Sequence, residues 1–429
     1  MFVAWNGSAM AGGAELAGVV ALLSEAKIFA AYAIFLASYL VFAIGKFPGM
    51  KIDRPGAAIV GAVLMVAFRI VAPGETLRFI DFSTIVLLFS MMLIVAYLHL
   101  AGFFDWITEL VVTRLRPRHL LPTVIFTSGV LSAFFVNDII CLVMVPFVLV
   151  ATRRLAVQPL PYLLAVATAS NIGSVATITG NPQNMLIGSF SHMGYRHFLI
   201  HLGPVAAVGL LIDWYIIQRV CKVAEGNEPA ATEEIAVPHV DAGRLVKPLV
   251  VIACVLAGFL AGVPPAIMAA LGAAAMLITR TRDPRLVYDE VDWGLLVFFV
   301  GLFLIVGGAE KAGLMRELLQ ITRRWNLQNT VVFTVITAAL SNIVSNVPAV
   351  MLLKSLVPGF SNTHTAWLVL AMASTLAGNL TVTGSVANLI VVERARPEVE
   401  ISFWAYFKVG LPVTILTVVF GALWLWLVK

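Results

Sequence analysis

Four long apolar stretches, residues 120–150, 161–190, 329–356 and 365–392, are each interrupted near the middle by polar or helix-breaking residues. The interruptions read Val-Asn-Asp at 136–138, Thr-Ile-Thr-Gly-Asn-Pro-Gln-Asn at 177–184, Ser-Asn-Ile-Val-Ser-Asn-Val-Pro at 341–348 and Thr-Val-Thr-Gly-Ser-Val-Ala-Asn at 381–388. Their surroundings decide what such breaks mean. The chain has 429 residues, 60% of them hydrophobic and 12% charged, against about a quarter charged in a soluble domain. No soluble core hides that much apolar surface, so lipid takes the place of water. At about 20 apolar residues per crossing there is room for roughly ten or eleven spans. Within a bilayer, irregular backbone is tolerated only where protein or a watery cavity surrounds it. Four breaks in one chain therefore point to a central polar site. Close helix packing accounts for Gly and Ser, but not for the recurring Asn and Asp. A cytosolic enzyme, a nucleic-acid binder and a disordered chain are excluded. So is a β-barrel, whose strands alternate over ~10-residue segments.

The remaining apolar runs, at 29–45, 56–72, 83–101, 198–217, 248–263, 265–278, 293–309 and 403–428, read as ordinary spanning helices. Residues 1–23 lack the basic start of a cleaved signal peptide and read as an apolar tail. Cys141, Cys221 and Cys254 make neither a disulfide framework nor a metal-ligand spacing, so no metal is expected. The two halves of the chain match in order and at a near-constant offset. Residues 81–90 lie over 292–301, Gly102 over Gly313, and Leu131, Ser132 and Asn137 over Leu340, Ser341 and Asn346. Thr177, Thr179, Gly180 and Asn184 lie over Thr381, Thr383, Gly384 and Asn388. The expected fold is an all-α polytopic membrane protein with two inverted-topology repeats, each with a re-entrant hairpin and a discontinuous helix. Its expected order is an N-terminal tail and two scaffold helices over 1–80, a first repeat over 81–223, a cytoplasmic linker over 224–243, two connecting helices over 244–291, and the second, inverted repeat over 292–429.

Orientation follows from Lys and Arg, which are retained on cytoplasmic loops. This also accounts for the net charge of +5. A first hairpin that returns to its own side keeps Arg114, Arg116, Arg118, Arg153 and Arg154 together inside. The same topology puts Lys311, Arg316, Arg323 and Arg324 outside, against the general tendency.

The candidate site is built from the breaks. Asn137 and Asp138 sit at the first hairpin tip, and Ser345 and Asn346 at the second, preceded by Ser341 and Asn342. Asn171, Ser174, Thr177, Thr179, Asn181 and Asn184 surround the first break, and Asn379, Thr381, Thr383, Ser385 and Asn388 the second. Helix N-termini carry a partial positive charge and free N–H groups, which suit an anion. Unwound carbonyls and Asn, Ser and Thr oxygens suit sodium, and a buried carboxylate suits sodium or a proton. Asp138 is the expected coupling group, with helix capping as its alternative role. It has no counterpart in the second half, where Val347 follows Asn346. Asp213 ranks lower, because it lies toward the inner end of its helix, within reach of water.

Phe-Val-Asn-Asp-Ile-Ile-Cys-Leu-Val-Met-Val-Pro at 135–146, the run from Ser170 to Gly188 with its Gly-Asn-Pro-Gln-Asn element, and the matching run from Thr375 to Glu393 resemble the motifs of the ion transporter superfamily. The nearest resemblance is to the arsenite permease branch, with its anion permeases and sodium/proton antiporters. It extends from about Asp81 to the C-terminus. The resemblance implies two inverted repeats, a homodimer and an elevator-like motion in the plasma or inner membrane. The related divalent-anion/sodium symporters carry Ser-Asn-Thr at both tips. Here the tips read Val136-Asn137-Asp138 and Ser345-Asn346-Val347. An Asn-Asp tip resembles the arsenite permease pattern and favours proton coupling through Asp138.

The expected function is secondary active transport of a small inorganic anion or oxyanion, of the arsenite or antimonite kind, coupled to protons or sodium. No cofactor beyond the coupling Na+ or H+ is expected, and no enzymatic activity. The alternatives are a sodium/proton antiporter, a sodium-coupled dicarboxylate symporter and, in another class, a channel. An intramembrane hydrolase finds no Ser/His/Asp, HExxH or paired-aspartate spacing within the spans.

Overall fold

The computed structural model describes residues 5–45, 51–114, 117–221, 243–278, 283–314, 317, 320 and 328–428. All but the last residue of the expected linker, and Arg116, Arg316, Arg323 and Arg324 of the orientation argument, lie outside the described residues.

Among the described residues the structure is helical throughout. In chain order the helices are α1 (Trp5–Ile44), α2 (Arg54–Ala67), α3 (Thr76–Phe79), α4 (Phe82–Ala101), α5 (Phe103–Arg114), α6 (Pro117–Phe134), α7 (Asn137–Arg154), α8 (Leu160–Ser174), α9 (Pro182–Ser191) and α10 (Tyr195–Val220). They continue with α11 (Gly243–Leu260), α12 (Pro265–Leu277), α13 (Pro284–Asp289), α14 (Trp293–Lys311), α15 (Thr330–Val344), α16 (Asn346–Leu353), α17 (Thr363–Ala377), α18 (Val386–Ala395) and α19 (Phe403–Leu427). All four expected breaks occur. Two residues separate α6 from α7, Ser345 alone separates α15 from α16, and longer non-helical loops separate α8 from α9 and α17 from α18.

The starts of these helices follow from local chemistry. Pro occupies the first turn of α2, α8, α9 and α12, where its missing N–H costs nothing. Side-chain oxygens of Asp53, Asn181, Asn329, Asn362 and Ser402 accept from the orphan N–H groups of α2, α9, α15, α17 and α19.

Two sequence expectations change. The N-terminal segment is not a separate tail, because α1 is helical from Trp5, with the membrane-length apolar part at Ser24–Ile44. Two of the runs read as ordinary spans are half-length, since α2 has 14 residues and α12 has 13. At about 1.5 Å per residue each reaches only about 20 Å, short of a hydrocarbon core of about 30 Å. Among the described residues, six helices are long and apolar enough to cross a membrane by length and composition: Ser24–Ile44 of α1, α4, α10, α11, α14 and α19.

The chain forms two compact units, residues 1–81 with 293–325, and residues 82–292 with 326–429. In the first, α2 packs on α14 and α1 covers both. In the second, α12 packs on α4 with α11 beside it, and the hairpins and broken helices make up the rest. The two arrangements correspond. A Cβ on Gly61 of α2 would fall 2.6 Å from Ile305 Cδ1 of α14, and one on Gly272 of α12 would fall 3.3 Å from Ile94 Cδ1 of α4. The repeat therefore includes the short helices, and each supports the first helix of the other half. Ion pairs recur as well. Lys311 at the end of α14 reaches Glu75 at 2.5 Å, and His99 near the end of α4 reaches Glu290 at 3.3 Å. The Lys311 ammonium holds the Glu75 carboxyl below the usual carboxylate range. This exposed bridge persists at neutral pH and is lost only as pH falls through that lowered value.

Within the second unit, α6 packs on α8 as α15 packs on α17, and α10 crosses α19. The α6–α8 contact is the closest. A Cβ at Gly173 would lie 1.9 Å from the carbonyl oxygen of Gly129, a backbone atom that cannot swing away. Gly173→Ala should therefore cost at least about 3 kcal/mol. Gly203→Ala, whose nearest neighbour is 3.4 Å away, should be close to neutral. Thermal unfolding of the two purified variants in detergent checks this, and equal midpoints would remove the argument.

Candidate functional site

Each loop between broken helices exposes peptide groups that the helices no longer satisfy, and an asparagine in the next helix answers them. Asn184 of α9 donates through Nδ2 to the carbonyls of Ser174 (3.0 Å) and Thr177 (2.9 Å). Asn388 of α18 does the same for Gly378 (2.7 Å) and Thr381 (3.0 Å). The matched positions of the repeat thus do matched work.

Cross-links between the halves follow the same symmetry. Ser385 Oγ donates to Asn171 Oδ1 at 3.0 Å. Its counterpart Asn181 donates through Nδ2 to Thr375 Oγ1 at 3.3 Å, and Thr375 is the counterpart of Asn171. Gln183 Nε2 reaches the same Thr375 hydroxyl at 3.1 Å. Asn171 is the hub. Its Oδ1 also accepts from Asn137 Nδ2 (3.0 Å), and its Nδ2 donates to Asn379 Oδ1 (2.8 Å) and Asn388 Oδ1 (2.9 Å). Two lone pairs and two N–H groups are all an amide has, so Asn171 is fully used within the protein.

The hairpin tips join this network at helix N-termini. The Asn137 backbone N–H donates to the Gly180 carbonyl at 3.0 Å. The Asn346 amide, oriented by its surroundings, places its nitrogen 2.6 Å from Ser341 Oγ, 3.1 Å from Ser374 O and 3.2 Å from Gly384 O, three acceptors shared by two N–H groups, and its oxygen accepts from Gln183 Nε2 (3.3 Å). Four helix N-termini, those of α7, α9, α16 and α18, are thus drawn into one cluster.

The expected site residues divide into two kinds. Ser174, Thr177, Asn181, Asn379 and Asn388, like Asn171, spend their polar groups on bracing: Ser174 donates to Asn171 O, Thr177 to Ala133 O and Asn379 to Thr168 O. Thr179 turns to Tyr195 OH at 3.0 Å. The side-chain oxygens of Asn137, Asn184 and Asn342, by contrast, are buried with no hydrogen-bond partner. Ser132 Oγ and the matched pair Ser128 and Thr337 are in the same condition. Asp138 lies half-buried in the first turn of α7, beside Cys141, whose Sγ is 3.0 Å from Ser170 Oγ. Backbone groups and neutral Asn, Gln, Ser, Thr and Tyr side chains make these bracing hydrogen bonds.

The halves also differ. Thr177, Thr179 and Asn181 are wholly buried, whereas Thr383 is exposed and Thr381, Asn342 and Ser345 are half-buried. Thr381 and Thr383 meet only loosely, at 3.4 Å. Ser345 has φ 77° and ψ 158°, a region open in practice only to glycine, while Val136 at the matching tip is ordinary, at φ −58° and ψ 122°. One expectation is corrected here. Asp213 does not reach water: it is fully buried, with Oδ2 accepting from Thr168 Oγ1 at 3.0 Å and Oδ1 unpartnered.

Sequence reasoning passed over Gln183, Thr375 and Thr168. The signal for Thr375 was its place over Asn171 in the repeat, and Gln183 stands inside the quoted Gly-Asn-Pro-Gln-Asn element.

A polar cluster of helix ends inside an apolar, many-helix chain defines a multi-pass membrane transporter. Residues 39–377 match the family CitMHS, described as citrate transporter. The chain belongs to that family, within the ion transporter superfamily, and is a secondary transporter. It is 30% identical to the silicon efflux transporter LSI3 of Oryza sativa subsp. japonica, over 94% of this chain and 98% of that one. It is 28% identical to the 46 kDa membrane protein of Mycobacterium leprae, over 92% and 98%. A Dictyostelium discoideum chain designated arsB is 25% identical over 87% of each. Among solved structures, the YdaH transporter of Alcanivorax borkumensis superposes with a TM-score of 0.56 at 12% identity, covering 94% of this chain and 97% of that one. That likeness is one of fold. The all-α architecture of two inverted repeats read from the sequence stands.

Strain at Ser345 is open to a direct test. Holding a non-glycine residue there costs about 1–3 kcal/mol, so Ser345→Gly should keep or raise the thermal midpoint. Ser345→Ala should not raise it. A Ser345→Gly protein that melts well below wild type would show that the hydroxyl, rather than the backbone, governs this tip.

Proposed function

We propose that the chain moves a small oxyanion, or the neutral hydroxylated acid from which it derives, by proton- or sodium-coupled alternating access. The observation that carries this reading is the makeup of the cluster: converging helix N-termini, bracing by neutral side chains, and buried amide oxygens of Asn137, Asn184 and Asn342 with spare acceptor capacity. Helix ends and neutral amides suit a compact solute of low charge with hydroxyl groups to donate. Weak acids of trivalent arsenic and of silicon are such solutes, being largely uncharged at neutral pH. The names of the rice and Dictyostelium relatives support this class. A tricarboxylate such as citrate calls for Arg or Lys to pair with its charges, whereas the bracing of this cluster is made by neutral side chains.

In this reading Asn137, Asn184, Asn342 and Ser345 face the solute, Asp138 exchanges the coupling ion, and Asn171, Asn379 and Asn388 hold the frame. The protein works as a homodimer in the plasma or inner membrane, with the hairpin unit moving in an elevator-like way. A sodium/proton antiporter is the second reading, favoured by the unpartnered oxygens of Asn137 and Asn184, which would suit a hard cation.

Thermal stabilisation of the purified protein, screened over arsenite, silicic acid, citrate and sodium, tests the reading. Arsenite or silicic acid should raise the midpoint, while citrate should not; stabilisation by citrate alone would overturn it. In proteoliposomes, Asn137→Ala and Asn346→Ala should each lower arsenite transport at least tenfold at near-normal membrane yield. Asp138→Asn should abolish gradient-driven accumulation. An Asp138→Asn protein with wild-type accumulation and pH dependence would return Asp138 to a capping role.

A further inference from the structure

Asp213 lies on α10 at about 10 Å from the C-terminal end of the helix, taking about 1.5 Å per residue. It is wholly buried. Among the described residues it has one hydrogen bond, from Thr168 Oγ1, and no ion pair. An ionised carboxylate left unpaired in a membrane interior is costly, and the cost is met by a proton or by a bound cation. The surroundings decide between them. A hard cation needs a shell of several oxygens, whereas among the described residues the one side-chain group that hydrogen-bonds the Asp213 carboxylate is the Thr168 hydroxyl. A proton needs only the free lone pair on Oδ1.

The helices packed on α10 supply no cation. Two titratable groups interact electrostatically with Asp213, Tyr406 of α19 and Cys221 just past the end of α10 itself, and neither is a cation. Arg118 and His119 of α6, Arg244 and Lys247 of α11, His364 of α17 and Lys408 of α19 all lie on exposed surface. The one titratable side chain of α8 is Tyr162, and its buried hydroxyl makes no hydrogen bond to Asp213.

Asp213 is wired to the transport cluster through a single residue. Thr168 Oγ1 stands 2.9 Å from Leu164 O and 3.0 Å from Asp213 Oδ2, and one hydroxyl proton can serve only one of them at a time. The carbonyl of the same Thr168 accepts from Asn379 Nδ2 at 3.2 Å, and Asn379 Oδ1 accepts from the hub amide of Asn171 at 2.8 Å.

We propose that Asp213 is a proton-carrying site of the transport cycle, distinct from Asp138. A proton from one aqueous side forms an O–H bond at Oδ1, converting the carboxylate to the neutral acid. The Thr168 hydroxyl is then released to Leu164 O. The bond breaks and the proton leaves on the other side, and the hydroxyl returns to Oδ2. The switch reaches the cluster through Asn379 and Asn171. This inference rests on the reading of the chain as a coupled transporter.

Difference infrared spectra of the purified full-length protein between acid and alkaline pH test it without any solute present. The wild type should show a pH-dependent carboxylic-acid C=O band that Asp213→Asn removes and Asp138→Asn leaves. An Asp213→Asn spectrum identical to wild type overturns the proposal. Thr168→Val guards against misfolding of that variant: loss of a hydrogen bond to a charged group should displace the midpoint of the band by about one pH unit or more, and an undisplaced midpoint also overturns the proposal. With arsenite as the probe in proteoliposomes, Asp213→Asn should lose at least tenfold of proton-driven accumulation, and Asp213→Glu should retain part of it with a shifted pH profile. Wild-type protein that moves no arsenite but shows the Asp213 band would count against the solute assignment and for the proton site.

Discussion

Unpaired peptide groups are the constraint on which this structure turns. In an apolar surround an unsatisfied N–H or carbonyl costs several kcal/mol, and the breaks at α8–α9 and α17–α18 release such groups where lipid-facing helices cannot help. Asn184 and Asn388 repair the damage because a short amide carries two N–H donors on one planar group, enough for the two carbonyls each of them reaches. The same amide has an oxygen left over. On Asn388 it is taken by Asn171; on Asn184 it has no partner. Mending the backbone therefore places acceptor oxygens inward, and the site grows out of the repair.

The two halves obey one plan beyond the site. The short helices α2 and α12 each lie against the first helix of the opposite half, at glycines that leave no room for a methyl group. Close approach at small residues is how helices hold together where lipid supplies no hydrophobic drive. An ion pair closes each contact near the helix end, but with Lys311 in one half and His99 in the other.

Much of this was legible in the chain because helix breaks in an apolar sequence leave no alternative reading. All four breaks fall where Asn, Gly and Pro interrupt the runs, and the matched Asn184 and Asn388 hold matched positions. The half-length of α2 was hidden, since Phe68, Ile70, Val71 and Ala72 are apolar although the helix ends at Ala67 and Arg69 turns the chain with φ 53°. Hydropathy does not register a turn. The division of labour among the asparagines was equally hidden: Asn137 and Asn171 look alike in sequence, yet one keeps a free oxygen and the other has none. Asp213 was misjudged because distance along a helix says little about burial when α8 and α19 pack over that end.

The two halves also depart from symmetry. Two halves that match in hydrogen bonding would match in exposure if both were in the same state, yet Thr177 and Thr179 are sealed while Thr381 and Thr383 open outward. The second tip is strained at Ser345 and the first, at Val136, is not. Strain of this kind persists only where its surroundings enforce it, and the enforcing contacts are those of Asn346 with Ser341, Ser374 and Gly384. Exchange of the two conformations between the halves would seal the second loop and open the first, with the Asn171 hub common to both states. An alternating-access transporter needs two such arrangements of nearly equal energy. In the alternating access proposed for this chain, a duplicated frame with unlike tips would supply them: shared bracing would keep the two states close in free energy, and unlike tips would let solute and coupling ion favour one over the other.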